Sequence, residues 1–192
     1  MKKLLFVPAL MLSLASCVDL SNSGSGSDSN GYEYDSIAAD TIDAETMIDA
    51  KSGNWQYREE IDEMTDKTSY YAKTVSTNSV DFGFPYEGGS TLSLTVRDSP
   101  QYGEDVFISV SKGQFNSHYN GTTIKMRFDD ADPFTVNCSE PSDLSSDILF
   151  LNGYSKIVGL LKKSSTMKIS VEFFQEGTRT FTFDVKDFKW DH

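Results

Sequence analysis

Apolar side chains recur at every second position in five short runs of the chain, with polar or charged residues between them. The runs are Leu92, Leu94 and Val96; Val106, Ile108 and Val110; Ile124, Met126 and Phe128; Met167, Ile169, Val171 and Phe173; and Phe181, Phe183 and Val185. A period of two is typical of strands with one buried and one solvated face. Less regular runs predict further strands near residues 55–61, 70–76, 80–84 and 134–136.

One segment changes from strand spacing to helical spacing. Its apolar residues fall at i, i+3, i+4 and i+7, namely Tyr154, Ile157, Val158 and Leu161. Lys162 and Lys163 follow, where cations favour the C-terminal end of a helix. Turn signals separate the strands at residues 85–89, 120–121 and 176–177. Together these patterns predict a mainly β domain over residues 53–192, an antiparallel β-sandwich with one short helix.

The chain begins with two lysines and an apolar stretch that has the length of a signal peptide and is too short to span a bilayer. The stretch ends in LASC, residues 14–17, which resembles the lipobox of bacterial lipoproteins. The sequence therefore predicts that residues 1–16 are removed and that the Cys17 thiol receives a diacylglyceryl chain. Two or three acyl chains make a stable anchor. The alternative is an ordinary secretory signal with an incidental cysteine.

Residues 17–52 are predicted to form a flexible tether. Ser, Asn, Gly and Asp dominate as far as residue 31, and such a segment buries too little apolar area to fold. Residues 32–52 are acidic with scattered Ile and Met. A helix over residues 38–50 is one interpretation, and a mostly disordered continuation is the preferred one.

The tether contains two short patterns that resemble a bacterial acceptor pattern for protein O-glycosylation. Each has Asp, then Ser or Thr, then Ile, which makes Ser36 and Thr41 candidate glycosylation sites. Chance is the alternative, because segments rich in Asp, Ser and Thr produce such triplets easily.

The acidic net charge of the chain limits the kinds of molecule that it is expected to bind. The chain has 17 basic and 29 acidic residues, and loss of the two leader lysines gives a net charge of about −14. Because nucleic-acid affinity comes from Lys and Arg on phosphates, this balance argues against nucleic acid. We expect the lipid to hold the protein at a membrane of the bacterial cell envelope, with the outer membrane favoured. Cys138 is the one cysteine left after acylation of Cys17, so no internal disulfide is predicted.

Several motifs occur in a recognisable order. They are Trp55; Met64, Thr65 and Asp66; Arg97; KMRFD at residues 125–129; Ser146 and Asp147; then the short helix and the last apolar run. Over residues 55–190 this order resembles the β-sandwich of VasI/TagO-like proteins associated with type VI secretion and of the invasion-associated locus B proteins. The resemblance implies a β-sandwich and an envelope location, and it implies no catalytic residue. Those families often carry a disulfide cysteine after the strand-ending arginine, whereas Asp98 follows Arg97 here.

Candidate catalytic and metal-binding residues are few. The histidines are His118 and His192, so a Ser/His/Asp or Cys/His arrangement would have to use His118. Its conceivable partner Cys138 lies near Val136 on an apparent strand and is predicted to be a small buried hydrophobic residue. The run DDAD at residues 129–132 could offer carboxylates to Ca²⁺, but it lacks an EF-hand's glycine and distal Glu and is predicted to be a solvated turn. No metal or cofactor is predicted.

Two predicted loops, residues 85–90 and 114–121, carry aromatic and amide side chains on glycine-containing backbone. The candidate recognition residues there are Tyr86, Phe115, His118 and Tyr119. Trp55 and Trp190 are predicted to pack in or beside the core. The predicted function is a non-enzymatic envelope lipoprotein that binds a protein or glycan partner. The alternative is a hydrolase of envelope glycans or peptides, which a cleft with two convergent carboxylates would favour.

Overall fold

The computed structural model describes residues 50–52, 54–117 and 121–192, which fall in one compact unit. The predicted signal peptide, Cys17, Ser36 and Thr41 lie outside the described residues, and so do His118 and Tyr119. No helix within those three ranges has the length and hydropathy needed to cross a membrane.

The described residues form ten strands and one helix. They are β1 (Ala50–Ser52), β2 (Trp55–Asp62), β3 (Lys67–Val75), β4 (Leu92–Ser99), β5 (Gly103–Val110), β6 (Thr122–Phe128), β7 (Phe134–Ser139), β8 (Ile148–Leu151), α1 (Tyr154–Leu161), β9 (Thr166–Phe173) and β10 (Gly177–Asp184). All strand pairs are antiparallel, in one sheet of order β1-β2-β3-β4-β5-β8-β7-β6-β9-β10. The predicted mainly β, antiparallel class with one short helix is confirmed.

The core is built from the alternating faces that the sequence predicts. On β4, Leu92, Leu94 and Val96 are fully buried, and the other four runs bury their apolar positions in the same way. Complete burial of one such side chain contributes about 1.5–3 kcal/mol, so these faces dominate the stability. Trp55 and Trp190 are both buried, as predicted.

The edge of β10 is covered by the chain that follows β3. The Thr77 N–H donates to the carbonyl oxygen of Thr182 at 2.7 Å. The Asn78 side chain accepts from the Thr182 N–H at 2.7 Å and donates to the Thr180 carbonyl at 3.1 Å. An uncovered edge strand can form hydrogen bonds with a strand of another chain. The bonds from Thr77 and Asn78 block such pairing at the centre of β10. They also direct the next loop toward the turn between β9 and β10.

Three local predictions differ from the structure. Residues 80–84 do not form a strand; Val80 makes one isolated bridge to Ser90, and the chain then turns at the cis peptide before Pro85. β8 was missed because its four residues are continuously apolar. β1 begins three residues before the predicted domain start at residue 53. It has no apolar pattern of its own, so only its pairing with β2 identifies it as a strand.

Candidate functional site

Three loops converge at one end of the sheet, and this surface is called the loop end. It comprises residues 82–90, 112–117 and 174–177. The Lys112 ammonium donates to the carbonyl oxygen of Glu87 at 2.8 Å, joining the first two loops. The Phe174 N–H donates to the Gln114 carbonyl at 2.9 Å, joining the second and the third. The sequence predicted two of these loops as recognition loops, and the structure brings them together.

Glu176 joins the third loop to the first. One carboxylate oxygen, Oε1, accepts from the Gly83 N–H at 2.7 Å. The other, Oε2, accepts from Nη2 of Arg179 at 3.3 Å, and both side chains are partly shielded from water. A charge-assisted bond to a backbone N–H is stronger than a neutral one, so Glu176 restrains the loop that carries Phe84.

A cluster of buried aromatic rings packs against the core side of the loop end. The Phe173 ring centroid lies 4.8 Å from that of Phe82, 5.1 Å from that of Phe115 and 5.9 Å from that of Phe181. Ring pairs at such separations add about 0.5–1.5 kcal/mol beyond the area that they bury. Gly113 has φ +111°, and a Cβ there would lie 2.8 Å from the Phe82 ring. The rings therefore fix the backbone of both loops.

The prediction that Phe115 is a recognition residue is wrong. Phe115 pairs with Phe173 in an isolated bridge and is only 3% exposed, so its ring belongs to the core. Tyr86 is half-buried and packs against the core, and its N–H donates to the Gly83 carbonyl at 2.9 Å. Part of its surface stays exposed at the loop end. The other two candidates, His118 and Tyr119, lie outside the described residues.

The sequence analysis missed the two most exposed rings of the loop end. Phe84 is 88% exposed and Phe174 is 54% exposed. Each stands within two residues of a buried phenylalanine, Phe82 or Phe173. Two features of the sequence could have indicated these rings. Phe84 stands directly before a proline, and Phe174 follows Phe173 at a position where the alternation of β9 would place a polar residue.

The candidate nucleophile Cys138 lies half-buried on β7. Burial raises the pKa of its thiol to about 12, and Sγ donates a weak hydrogen bond to the Val136 carbonyl at 3.8 Å. The thiol therefore stays protonated at neutral pH and is a poor nucleophile. Its candidate partner His118 lies outside the described residues.

The carboxylate of Asp129 holds two segments of chain together. Its Oδ1 accepts from the Thr166 N–H at 2.9 Å, the Ser165 N–H at 3.1 Å and the Thr166 hydroxyl at 3.1 Å. These bonds, led by the one from the Thr166 N–H, lower the pKa of Asp129. No three or more His, Cys, Asp or Glu side chains converge on a metal position within the described ranges.

No family model, curated protein or solved structure matches this chain. The resemblance to the VasI/TagO-like and invasion-associated locus B proteins stays a prediction from the motifs.

Proposed function

We propose that this protein is a lipid-anchored lipoprotein of the bacterial cell envelope whose loop end binds a protein or glycan partner without catalysis. The main support for the proposal is that two exposed aromatic rings, Phe84 and Phe174, lie on loops that a hydrogen bond joins. Phe84 and Phe174 are each one or two residues from the bond between Gly83 and Glu176. Both rings are thus presented to solvent from the same restrained part of the surface.

Restraint matters because binding must offset the entropy of ordering the groups that make contact. A loop that is already tied to its neighbours loses less freedom on binding than a free one. Aromatic side chains are enriched at protein interfaces and dominate their energetics. Recognition by loops on a rigid β scaffold is a common arrangement.

Anchoring is the second part of the proposal and rests on the sequence alone. Cys17 follows the lipobox-like residues, and residues 18–49 separate it from β1. A Gly/Ser-rich spacer of that kind lets a domain reach a partner while the lipid stays in the membrane. The net charge of about −14 makes direct adsorption of the domain to anionic lipid unfavourable.

Partner capture from intact cells tests the loop end. The full chain carrying both Phe84→Ser and Phe174→Ser is expressed in its own cells, and chemically cross-linked complexes are recovered through a tag. A matched control is Met64→Ser, because Met64 is 92% exposed at the turn between β2 and β3. We expect the unmodified chain and the control to capture the same partner and the double variant to lose it. Equal capture by all three chains would refute the role of the loop end.

A further inference from the structure

A small pocket, whose lining is half polar and half apolar, lies on the solvent side of the sheet. It has a volume of about 160 Å³ and is lined by Lys73, Val75, Thr91, Ser93, Ser109, Val110 and Ser111. Strand register places Val75, Ser93 and Ser109 side by side on β3, β4 and β5. Drug-sized ligands occupy about 300–1,000 Å³, so this pocket suits one small group of a larger ligand.

Ser93 and Ser109 form the floor of the pocket. Ser93 is 8% exposed although it faces outward from β4, between Val75 on β3 and Ser109 on β5. Its hydroxyl lies 2.7 Å from the Ser109 hydroxyl. Ser93 Oγ also lies 3.3 Å from the Ser109 carbonyl oxygen, a second acceptor for its single proton. When Ser93 donates to the Ser109 hydroxyl instead, the Ser109 proton is left to point toward a ligand, and an acceptor in the pocket would select that orientation.

Ser111 offers a second donor at the rim. Its Oγ accepts from the Thr91 N–H at 2.9 Å and from the Thr91 hydroxyl at 3.3 Å. Both acceptor lone pairs of the Ser111 hydroxyl are therefore used, and its proton can still be donated. The Ser90 hydroxyl donates to the Lys112 carbonyl at 2.6 Å. Its oxygen lies 3.4 Å from Ser111 Oγ and can accept the Ser111 proton in a long bond, which a ligand in the pocket would replace.

Lys73 supplies a positive charge on the β3 side of the pocket. It is exposed, and among the described residues it makes no ion pair. The other described lysines make no ion pair either, so the distinguishing feature of Lys73 is its position beside the two serine hydroxyls. Three donors on one small cavity favour an oxygen anion as the ligand.

Two aromatic side chains, Phe107 and Phe150, lie next to the pocket on the same face of the sheet, two residues along β5 from Ser109. Strand pairing sets Lys73 beside Thr95, then Phe107 and Phe150. The rings of Phe107 and Phe150 are half-buried, with centroids 5.5 Å apart. The Arg97 guanidinium lies over both rings, 5.5 Å from the Phe107 centroid and 5.9 Å from the Phe150 centroid. The ring area that Arg97 leaves exposed is apolar and can contact the carbon face of a sugar, whereas a bare phosphate gains nothing from it.

We propose that this pocket binds the carboxylate of an acidic sugar residue in a glycan. The carboxylate accepts from the Lys73 ammonium and from the Ser109 and Ser111 hydroxyls, and the sugar ring extends over Phe107 and Phe150. The site is separate from the loop end, and the inference does not rest on the function proposed above.

Titration of the full chain with defined probes tests the pocket. The probes are a trisaccharide of galacturonic acid, the corresponding neutral galactose trisaccharide and inorganic phosphate, with binding followed by NMR or calorimetry. Lys73→Met keeps most of the aliphatic stem and removes the charge. Lys168→Met is the matched control, because Lys168 is an exposed lysine on β9. Thermal unfolding of each variant confirms that the fold is unchanged.

We expect the acidic trisaccharide to bind the unmodified chain and the Lys168 variant equally. Lys73→Met and, separately, Ser109→Ala should each weaken binding by about tenfold, the usual range for a lost hydrogen bond to a charged group. The neutral trisaccharide and phosphate should bind at least about tenfold more weakly than the acidic one. No binding of the acidic trisaccharide, binding insensitive to Lys73, or equal binding of the neutral trisaccharide or of phosphate would each overturn the proposal.

Discussion

The Gly83 N–H donates to Oε1 of Glu176 at 2.7 Å, across 93 positions of sequence. This bond ties the loop after β3 to the turn between β9 and β10. It places the restraint next to Phe84, the most exposed phenylalanine among the described residues. The properties of the loop end therefore depend on Glu176 and on the ring cluster beneath it.

Loss of the Glu176 carboxylate should loosen the loop end. Glu176→Ala leaves the Gly83 N–H and the Arg179 guanidinium without this acceptor, and we expect a loss of about 1 kcal/mol in the free energy of unfolding. Urea denaturation measures that loss, and hydrogen exchange should accelerate at residues 83–86. Glu140→Ala is the control, because Glu140 is exposed and should change stability by less than about 0.5 kcal/mol. Unchanged exchange near Gly83 would contradict the restraint.

Gly113 should not tolerate a side chain. Gly113→Ala places a Cβ 2.8 Å from the Phe82 ring at φ +111°, so we expect destabilisation of about 2 kcal/mol or more. Gly159→Ala is the matched control. Gly159 lies in α1 with open space around its Cβ position, so alanine there should stabilise by about 0.5–1 kcal/mol. Thermal or urea unfolding of the two variants should give opposite signs, and equal effects would argue against the packing described.

Stability should fall in alkaline solution partly through Cys138. Burial raises its pKa in the folded chain to about 12, above the ordinary value of 9.0 for a thiol, so the folded chain holds the thiol proton more tightly than the unfolded chain does. The resulting stabilisation is complete below about pH 9 and is lost as the pH rises toward 12. Cys138→Ala should therefore reduce the slope of stability against pH in that window. Identical slopes for the two chains would show that Cys138 does not contribute.

The strand faces could be predicted because apolar and polar residues alternate over each run. Ile124 and Met126 on β6 illustrate this, since both are buried while Lys125 between them is exposed. β1 and β8 could not be predicted in the same way. Ala50–Ser52 has no apolar pattern, and Ile148–Leu151 is apolar throughout, so both strands depend on the partners that pair with them.

The loop end was predictable in outline and not in detail. Glycine and proline marked the loops, but the fate of each ring depends on contacts that are distant in sequence. Phe115 has polar neighbours and resembles a loop residue, yet its bridge to Phe173 buries it. Phe84 follows the alternation of Phe82, yet the turn before Pro85 leaves it in solvent.

The proposed lipid anchor on Cys17 can be tested independently of the fold. Cys17→Ala should abolish lipidation, so the protein should move from the membrane fraction to the soluble envelope fraction and carry no labelled palmitate. Ser16→Ala is the control, because a small residue remains before the cysteine and processing should continue. Membrane partitioning with labelled palmitate in the Cys17 variant would show that the lipid is attached elsewhere.

Site-specific photo-cross-linking in the native cells tests the central claim most directly. A photoreactive phenylalanine analogue replaces Phe84 in one full chain and Met64 in another; the two native residues are 88% and 92% exposed. Our account predicts that irradiation at position 84 gives a discrete covalent adduct with one envelope partner and that position 64 does not. Absence of an adduct at position 84, or the same adduct from both positions, would contradict it.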